Sequence, residues 1–325
     1  MGITTVEGLR SAECGRRVVS GGMACVFSAV LLLVGTTGCE VQLPAEEPAL
    51  VLTTLEQEVK TRNGISLNGI SLNGISLNGI SLNGLSPQHL GSTDFSTWFN
   101  QNPTGHDVLM RYLVRCAVAE GASRTFVNPS TGVSYTWPGL LGLAPAWSGG
   151  TPATVVEQQV ISACLAAHAN SYGVQTPLSV QGRKADGAPI PLSAGELDMY
   201  SRKEACFFGN IFNEEGLFAG NDRNGLGVEE SSGRPCGLTA RGAMTNELCP
   251  AVKRVGQCEN SCTLDATGTF YESCTRGGIT YKPLTTRIQP QTVNVCGDGV
   301  CQQGESCGLG LTADSCMLDC GMCAL

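Results

Sequence analysis

Three histidines (His89, His106 and His168) and seventeen cysteines set the chemistry open to this chain, which is sulfur and carboxylate chemistry more than imidazole chemistry. Cys164 and His168 stand one helical turn apart, the spacing of a thiolate–imidazole pair. A histidine near a helix C-terminus is favoured by the dipole alone, and a cysteine in an even set finds a disulfide partner, so this pair reads as structural. No His-Glu-x-x-His zinc signature, Gly-x-Ser-x-Gly elbow or phosphate-binding Gly-Lys-Ser/Thr loop occurs. Cys320-Gly-Met-Cys323 has zinc-ligand spacing, although disulfides are the expected fate outside the cytoplasm. Asp298, Glu305, Asp314 and Asp319 offer hard oxygens, but Val300 and Leu309 fall at the third and twelfth places counted from Asp298, which breaks an EF-hand loop. Asn221-Asp-Arg-Asn-Gly225 reads as a plain polar turn. No metal site and no cofactor are expected. One acid–base arrangement remains, the carboxylates Glu196 and Glu204 near one face of an expected helix. A secreted hydrolase built on them is the alternative to a chain that binds without catalysis.

The elements that must position these groups are legible from spacing. A first helix is expected over roughly Asp107 to Glu120, with Thr104 and Asp107 in capping-box spacing and Gly121 as its stop. A second is expected from Val155 to Ala169, opened by Thr154 and Glu157, with Val156, Val160, Cys164 and Ala167 on one face. A third opens at Ser193 with Glu196 as box partner and runs through Cys206 to Phe212. Hairpins are expected over Thr125–Tyr135, over Pro177–Pro191 turning at Ala185-Asp-Gly187, and over Phe270–Tyr281 turning at Gly277-Gly278. No run suits a parallel βαβ unit. The fold class is therefore α+β, a disulfide-stabilised domain of about three helices with β-hairpins, followed by a small Cys-rich module.

Cysteine parity divides the chain. Eight cysteines fall in the middle (Cys116, Cys164, Cys206, Cys236, Cys249, Cys258, Cys262 and Cys274) and six in the tail (Cys296, Cys301, Cys307, Cys316, Cys320 and Cys323). Both sets are even, as closed disulfide frameworks require. Spacing alone leaves the pairing open, though Cys116 and Cys164 each face a helix interior and suit a bridge between the first two helices. No bridge is expected to cross between Cys274 and Cys296. The stretch Lys282 to Val293 carries two prolines and reads as a linker.

The N-terminal stretch assigns a compartment. Arg10, Arg16 and Arg17 precede an apolar run from Val26 to Val34, which is too short for a permanent membrane span. Thr36-Thr37-Gly38-Cys39 then resembles the lipobox of bacterial lipoproteins, with Thr36 where that family usually has Leu. The resemblance implies that 1–38 is a signal peptide, that Cys39 is lipidated, and that the chain is anchored in the cell envelope. The outer membrane is favoured, facing either the periplasm or the cell surface.

Residues 39–62 read as an acidic tether, and 63–87 as a spacer of Asn-Gly-Ile-Ser-Leu repeats beginning at Asn63, Asn68, Asn73 and Asn78, with a degenerate copy at Asn83. Read as Ser-Leu-Asn-Gly, the tract resembles pentapeptide-repeat proteins. Ile stands where that family has a small side chain, and the tract makes barely more than one coil of such a solenoid. An ordered single turn or an interaction element is the other reading of the tract. The globular part is expected over 92–290 and the Cys-rich module over 296–325.

The module's Cys296-Gly-Asp-Gly-Val-Cys301, Gly304-Glu-Ser-Cys307 and Asp319-Cys-Gly321 resemble the Cys-Gly-Asp-Gly-x-Cys modules at the ends of secreted and surface proteins of myxobacteria. That resemblance covers about 28 residues and implies location and architecture, not an activity. The formal net charge is −8; loss of 1–38 removes three arginines and two glutamates and makes it −9. Nucleic acid is excluded as a partner on this balance. The expected partners are the membrane, through the lipid anchor, and an envelope protein or glycan.

Overall fold

The structure is a computed structural model that describes residues 67–68, 85–170, 177–213, 215–222, 230–232, 252–302, 305, 307–308 and 316–322. Cys39, the signal segment, the acidic tether, most of the repeat tract, Cys236, Cys249, Asp314 and Cys323 lie outside the described residues. All described residues belong to one compact unit, Leu52–Leu325.

In chain order the elements begin with a two-residue strand β1 (Leu67–Asn68), then helices α1 (Pro87–Leu90), α2 (Thr93–Gln101) and α3 (Pro103–Ala117). A hairpin follows, β2 (Ser123–Val127) with β3 (Ser134–Pro138), then α4 (Pro145–Ser148), α5 (Val155–Ala167), β4 (Ala169–Asn170) and β5 (Leu178–Gly182). Next come α6 (Glu196–Met199), β6 (Arg202–Asn210), β7 (Gly216–Asn221), β8 (Glu230–Ser232) and β9 (Val252–Gln257). The chain continues through β10 (Cys262–Leu264), β11 (Tyr271–Arg276), β12 (Ile279–Tyr281), β13 (Leu284–Ile288), β14 (Val293–Val295) and α7 (Met317–Cys320). This is a mixed α+β fold with several disulfides, in which sheets outweigh helices.

The frame is a five-stranded sheet in the order β5-β13-β6-β7-β9. Its pairs are antiparallel except β7 with β9, which is parallel. Helix α5 packs on one face, where Val180, Ala205, Phe207, Leu217 and Leu284 join the main core. On the other face Cys206, Phe208 and Phe218 meet Tyr271, Cys274 and Tyr281 of a three-stranded sheet, β10-β11-β12, in a second core.

Local sequence explains the helix starts. Ser86 caps α1 by accepting from His89 N, and Pro87 occupies the first helical position, where its missing N–H costs nothing. Thr154 and Glu157 form the full reciprocal capping box of α5 as expected. The start of α3 corrects the expectation: Asn102, not Thr104, is the cap and accepts from Gly105 N at 3.1 Å. Asp107 works across the fold, accepting from Trp137 Nε1 at 2.7 Å and pairing with Arg111.

Four other expectations are corrected. The third helix shrinks to α6, and Arg202–Asn210 is a central strand. Here Ala205 and Phe207 feed one core while Cys206 and Phe208 feed the other, a period of two that a two-sided strand satisfies and a helix does not. The return arm of the hairpin expected after β5 is only an isolated bridge, Arg183 to Pro189, and the ladder partner of β5 is β13. The stretch expected as a linker contains β13, the second strand of the sheet; Pro283 and Pro290 bracket it and so cost the ladder no N–H. The fold also begins before Ser92. Leu85, from the degenerate repeat copy, is fully buried and donates its N–H to Trp147 O.

The hairpins at β2–β3 and β11–β12 stand as expected. Bridges join Cys116 to Cys164, Cys206 to Cys258, Cys262 to Cys274, Cys296 to Cys316 and Cys301 to Cys320, and Cys307 is also disulfide-bonded. Each bridge between described cysteines stays within its own set. Among the described residues of the uniform repeats, the junction of the first two copies meets the domain: the backbone of β1 pairs in parallel with β4.

Candidate functional site

Helix α2 shows why one surface stands out. Its inward residues Phe95, Trp98 and Phe99 are buried; Phe95 and Phe99 meet Phe126 of the β2–β3 hairpin, and Phe99 also meets Tyr135 and Trp137, in tilted or edge-on ring contacts. Of its outward residues, Asp94 is charged, but the five that line the groove, Thr93, Ser96, Thr97, Asn100 and Gln101, are all uncharged hydrogen-bonding groups. Outer faces of surface helices ordinarily carry Lys and Glu. Together with Phe126, Val127, Pro129 and Ser130 of the hairpin, this stripe lines a groove of about 640 Å³ in which no lining residue is charged.

The groove is held open by an amide pair. Asn128, 1% exposed, donates from Nδ2 to Asn100 Oδ1 at 2.7 Å, and its own Oδ1 accepts from Ser130 N at 2.9 Å. The first bond ties the hairpin loop to the helix, and the second shapes the turn. Gly132 at φ 72° completes that turn in a region a side chain enters only with strain. The walls thus offer hydroxyls, amides and a short apolar edge of Val127 and Pro129.

A second cleft of about 420 Å³ lies between Leu140, Leu141, Ile190 and Pro191, with Glu120, Lys184 and Glu196 at its rim. Both Glu196 oxygens are engaged, Oε1 by Ser179 Oγ at 2.7 Å and Oε2 by Ser193 N at 2.8 Å. Glu204 is elsewhere. It is the extra residue where the β6–β13 register shifts, is fully buried, and accepts from Thr286 Oγ1 at 2.8 Å. Neither described cavity is lined by both carboxylates of the expected pair.

The other sequence candidates resolve into structural roles. Cys164 is bonded to Cys116, so it is no thiolate, and His168 Nδ1 lies 2.8 Å from the Cys164 carbonyl oxygen. His106 stacks on Trp98 at 3.9 Å. In the tail, Asp319 accepts from Gly297 N and Gly299 N, and Asp298 accepts from Val300 N and Gln302 Nε2. Asp319 thus staples the Cys-Gly-Asp-Gly turn to α7, and Asp298 braces the turn from within. Asn221 ends β7 and Asp222, 2% exposed, accepts from Tyr271 OH at 3.0 Å, while 223–225 lie outside the described residues.

Shifted ionisations point the same way. Burial, reinforced by Asp222, pushes the Tyr271 phenol far up, and burial with a hydrogen bond to Glu215 pushes Tyr281 up to about 12. Burial lowers Arg115 and Arg287. The two phenol shifts move their groups further from titration near neutrality, the opposite of what general acid–base work needs.

Comparison of the chain with protein-family models, with curated proteins and with solved structures found no match. What fold and site define is thus a class: a disulfide-bonded α+β protein with an uncharged polar groove. The sequence signal for that groove was the run of Ser, Thr, Asn and Gln at helical spacing opposite Phe95, Trp98 and Phe99; no motif marks it.

Proposed function

We infer that the chain is a lipid-anchored envelope protein whose domain binds a neutral, hydroxyl-rich ligand, a glycan, without catalysis. The observation that carries this reading is the α2 groove: about 640 Å³, lined by hydroxyls, amides and a short apolar edge, with no charge. A sugar ring presents hydroxyls around its edge and C–H groups on its faces, which matches that lining group for group. An anionic ligand would be desolvated there against no countercharge. The acidic balance of the chain argues against nucleic acid in the same way. The anchor rests on Thr36-Thr37-Gly38-Cys39 and its apolar run, and the repeat tract serves as spacer between anchor and domain.

Two experiments test the two halves. Asn100→Asp places a carboxylate in the groove and keeps an oxygen that accepts from Asn128 Nδ2; it should reduce co-sedimentation with insoluble neutral polysaccharide about tenfold while leaving the melting temperature near that of wild type. Equal co-sedimentation of both proteins contradicts the groove reading. Metabolic palmitate labelling should mark the wild-type chain and not Cys39→Ala, and equal labelling contradicts the anchor.

A further inference from the structure

Two disulfides of the second core are in contact. Cys262 Sγ lies 3.7 Å from Cys206 Sγ, and the sulfurs of Cys206, Cys262 and Cys274 all lie within 4.8 Å of one another. Four strands, β6, β9, β10 and β11, converge to place them. Cys206 is in the middle of β6, Cys258 follows β9 directly, and Cys262 and Cys274 stand opposite each other across β10 and β11. The backbone at Gly220 forms the floor, where a Cβ would meet Cys206 Sγ at 3.0 Å and Cys258 Sγ at 3.1 Å. Access is one-sided: Cys206 and Cys258 are fully buried and Cys274 is 1% exposed, while Cys262 is only partly buried.

We propose that Cys206, Cys258, Cys262 and Cys274 form one thiol–disulfide exchange centre, entered by a dithiol through Cys262 and passing the break inward to Cys206–Cys258. A thiolate of the dithiol attacks Cys262 Sγ, the sulfur solvent reaches, and Cys274 leaves as a thiolate that takes up a proton. The second thiol of the dithiol then attacks the mixed disulfide, which releases Cys262 as a thiolate and leaves the dithiol oxidised to its disulfide. Two electrons have entered the protein.

The next step is an isomerisation with no further electron transfer. Cys262 thiolate attacks Cys206 Sγ, the Cys206–Cys262 bond forms, the Cys206–Cys258 bond breaks, and Cys258 leaves and is protonated. Contact at 3.7 Å makes this step intramolecular, which replaces a bimolecular encounter by a local one. Its consequence is mechanical. The bridge that holds the chain beyond β9 against β6 is exchanged for one from β10, so the parallel edge of the five-stranded sheet loses its covalent hold. A break made at the surface is thus read at an edge strand.

The test uses the full chain. Cys274→Ser leaves Cys262 a thiol beside an intact Cys206–Cys258. After acid quench, alkylation and peptide mass mapping, about a tenth of the chains or more should carry a Cys206–Cys262 bridge with Cys258 alkylated. If Cys262 is the only one of the remaining three cysteines alkylated, the proposal is wrong. Should that variant fail to fold, the wild type decides. Native protein treated with one equivalent of dithiothreitol at pH 8 and quenched should show thiols at Cys258 and Cys274. Thiols confined to Cys262 and Cys274, or Cys206–Cys258 opening while Cys262–Cys274 stays closed, overturns it.

Discussion

Glu157→Ala should cost the domain about 3–4 kcal/mol and lower its melting temperature by about 6–16 °C. Glu157 is 2% exposed, and its carboxylate accepts four hydrogen bonds. Oε1 takes Ala146 N at 2.9 Å and Trp147 N at 3.0 Å, which ties α4 to α5. Oε2 takes Thr154 N at 3.0 Å and Thr154 Oγ1 at 3.1 Å, which closes the capping box. Alanine leaves three backbone donors without their acceptor, one of them on the fully buried Trp147. Glu157→Gln should fall between, since its amide nitrogen faces a donor whichever way it turns. Thr154→Ala removes the cap bond from Glu157 N and the hydroxyl's bond to Oε2, and should cost about 1 kcal/mol. Thermal melts of the three variants in that order check the account, and a Glu157→Ala melt within 2 °C of wild type, about half a kcal/mol, contradicts it.

The second large effect lies at the other end of the same contact. Leu85→Ala should cost about 2–5 kcal/mol, the range for a fully buried leucine. The backbone of Leu85 is fixed twice, by donation to Trp147 O at 3.0 Å and by acceptance from Arg124 Nε at 2.6 Å. A chain starting at Ser92 loses both Leu85 and Leu90, about 4–10 kcal/mol, which is comparable to the whole stability of an ordinary domain. It should show no cooperative melt. Deleting Asn68–Leu77 instead should leave the melt unchanged, because it removes two whole repeats and restores the same Leu-Asn dipeptide at the point where β1 pairs with β4. Two paired residues add little by themselves. A lower melt for that deletion, or a normal one for the Ser92 start, contradicts this division of the chain.

Where the sequence was legible, a local rule and the tertiary fold agreed. Thr154 and Glu157 announce α5, and Asn-Pro-Ser-Thr-Gly announces the β2–β3 turn, because the groups concerned are neighbours in the chain. Cys116 and Cys164 are legible for a related reason: each lies on the buried face of its helix, and the bridge joins those faces. Strand β6 was hidden because Ser193 and Glu196 have capping-box spacing, whereas Gly195 in the left-handed region precedes a single turn, Glu196–Met199, and the chain beyond it pairs with β13 and β7. Strand β13 was hidden by prolines at its two ends. Leu85 was hidden by its likeness to the repeats, although the change from Ile-Ser-Leu to Leu-Ser-Pro is what makes a capped helix possible. The groove and the four-sulfur cluster each need residues from elements far apart in sequence, and no spacing rule reaches that far.

Binding without cleavage in the α2 groove is the central claim, and calorimetric titration with recovery of the sugar tests it most directly. The chain from Glu40 to Leu325 is titrated with neutral hexasaccharides of glucose and of N-acetylglucosamine, and the sugar is then sized. The expected result is saturable heat with a Kd of about 1 mM or tighter for at least one of them, about tenfold weaker in Asn100→Asp, with the hexasaccharide recovered whole. No heat from either sugar at about ten times that concentration, or recovery of shortened sugars, would contradict the claim.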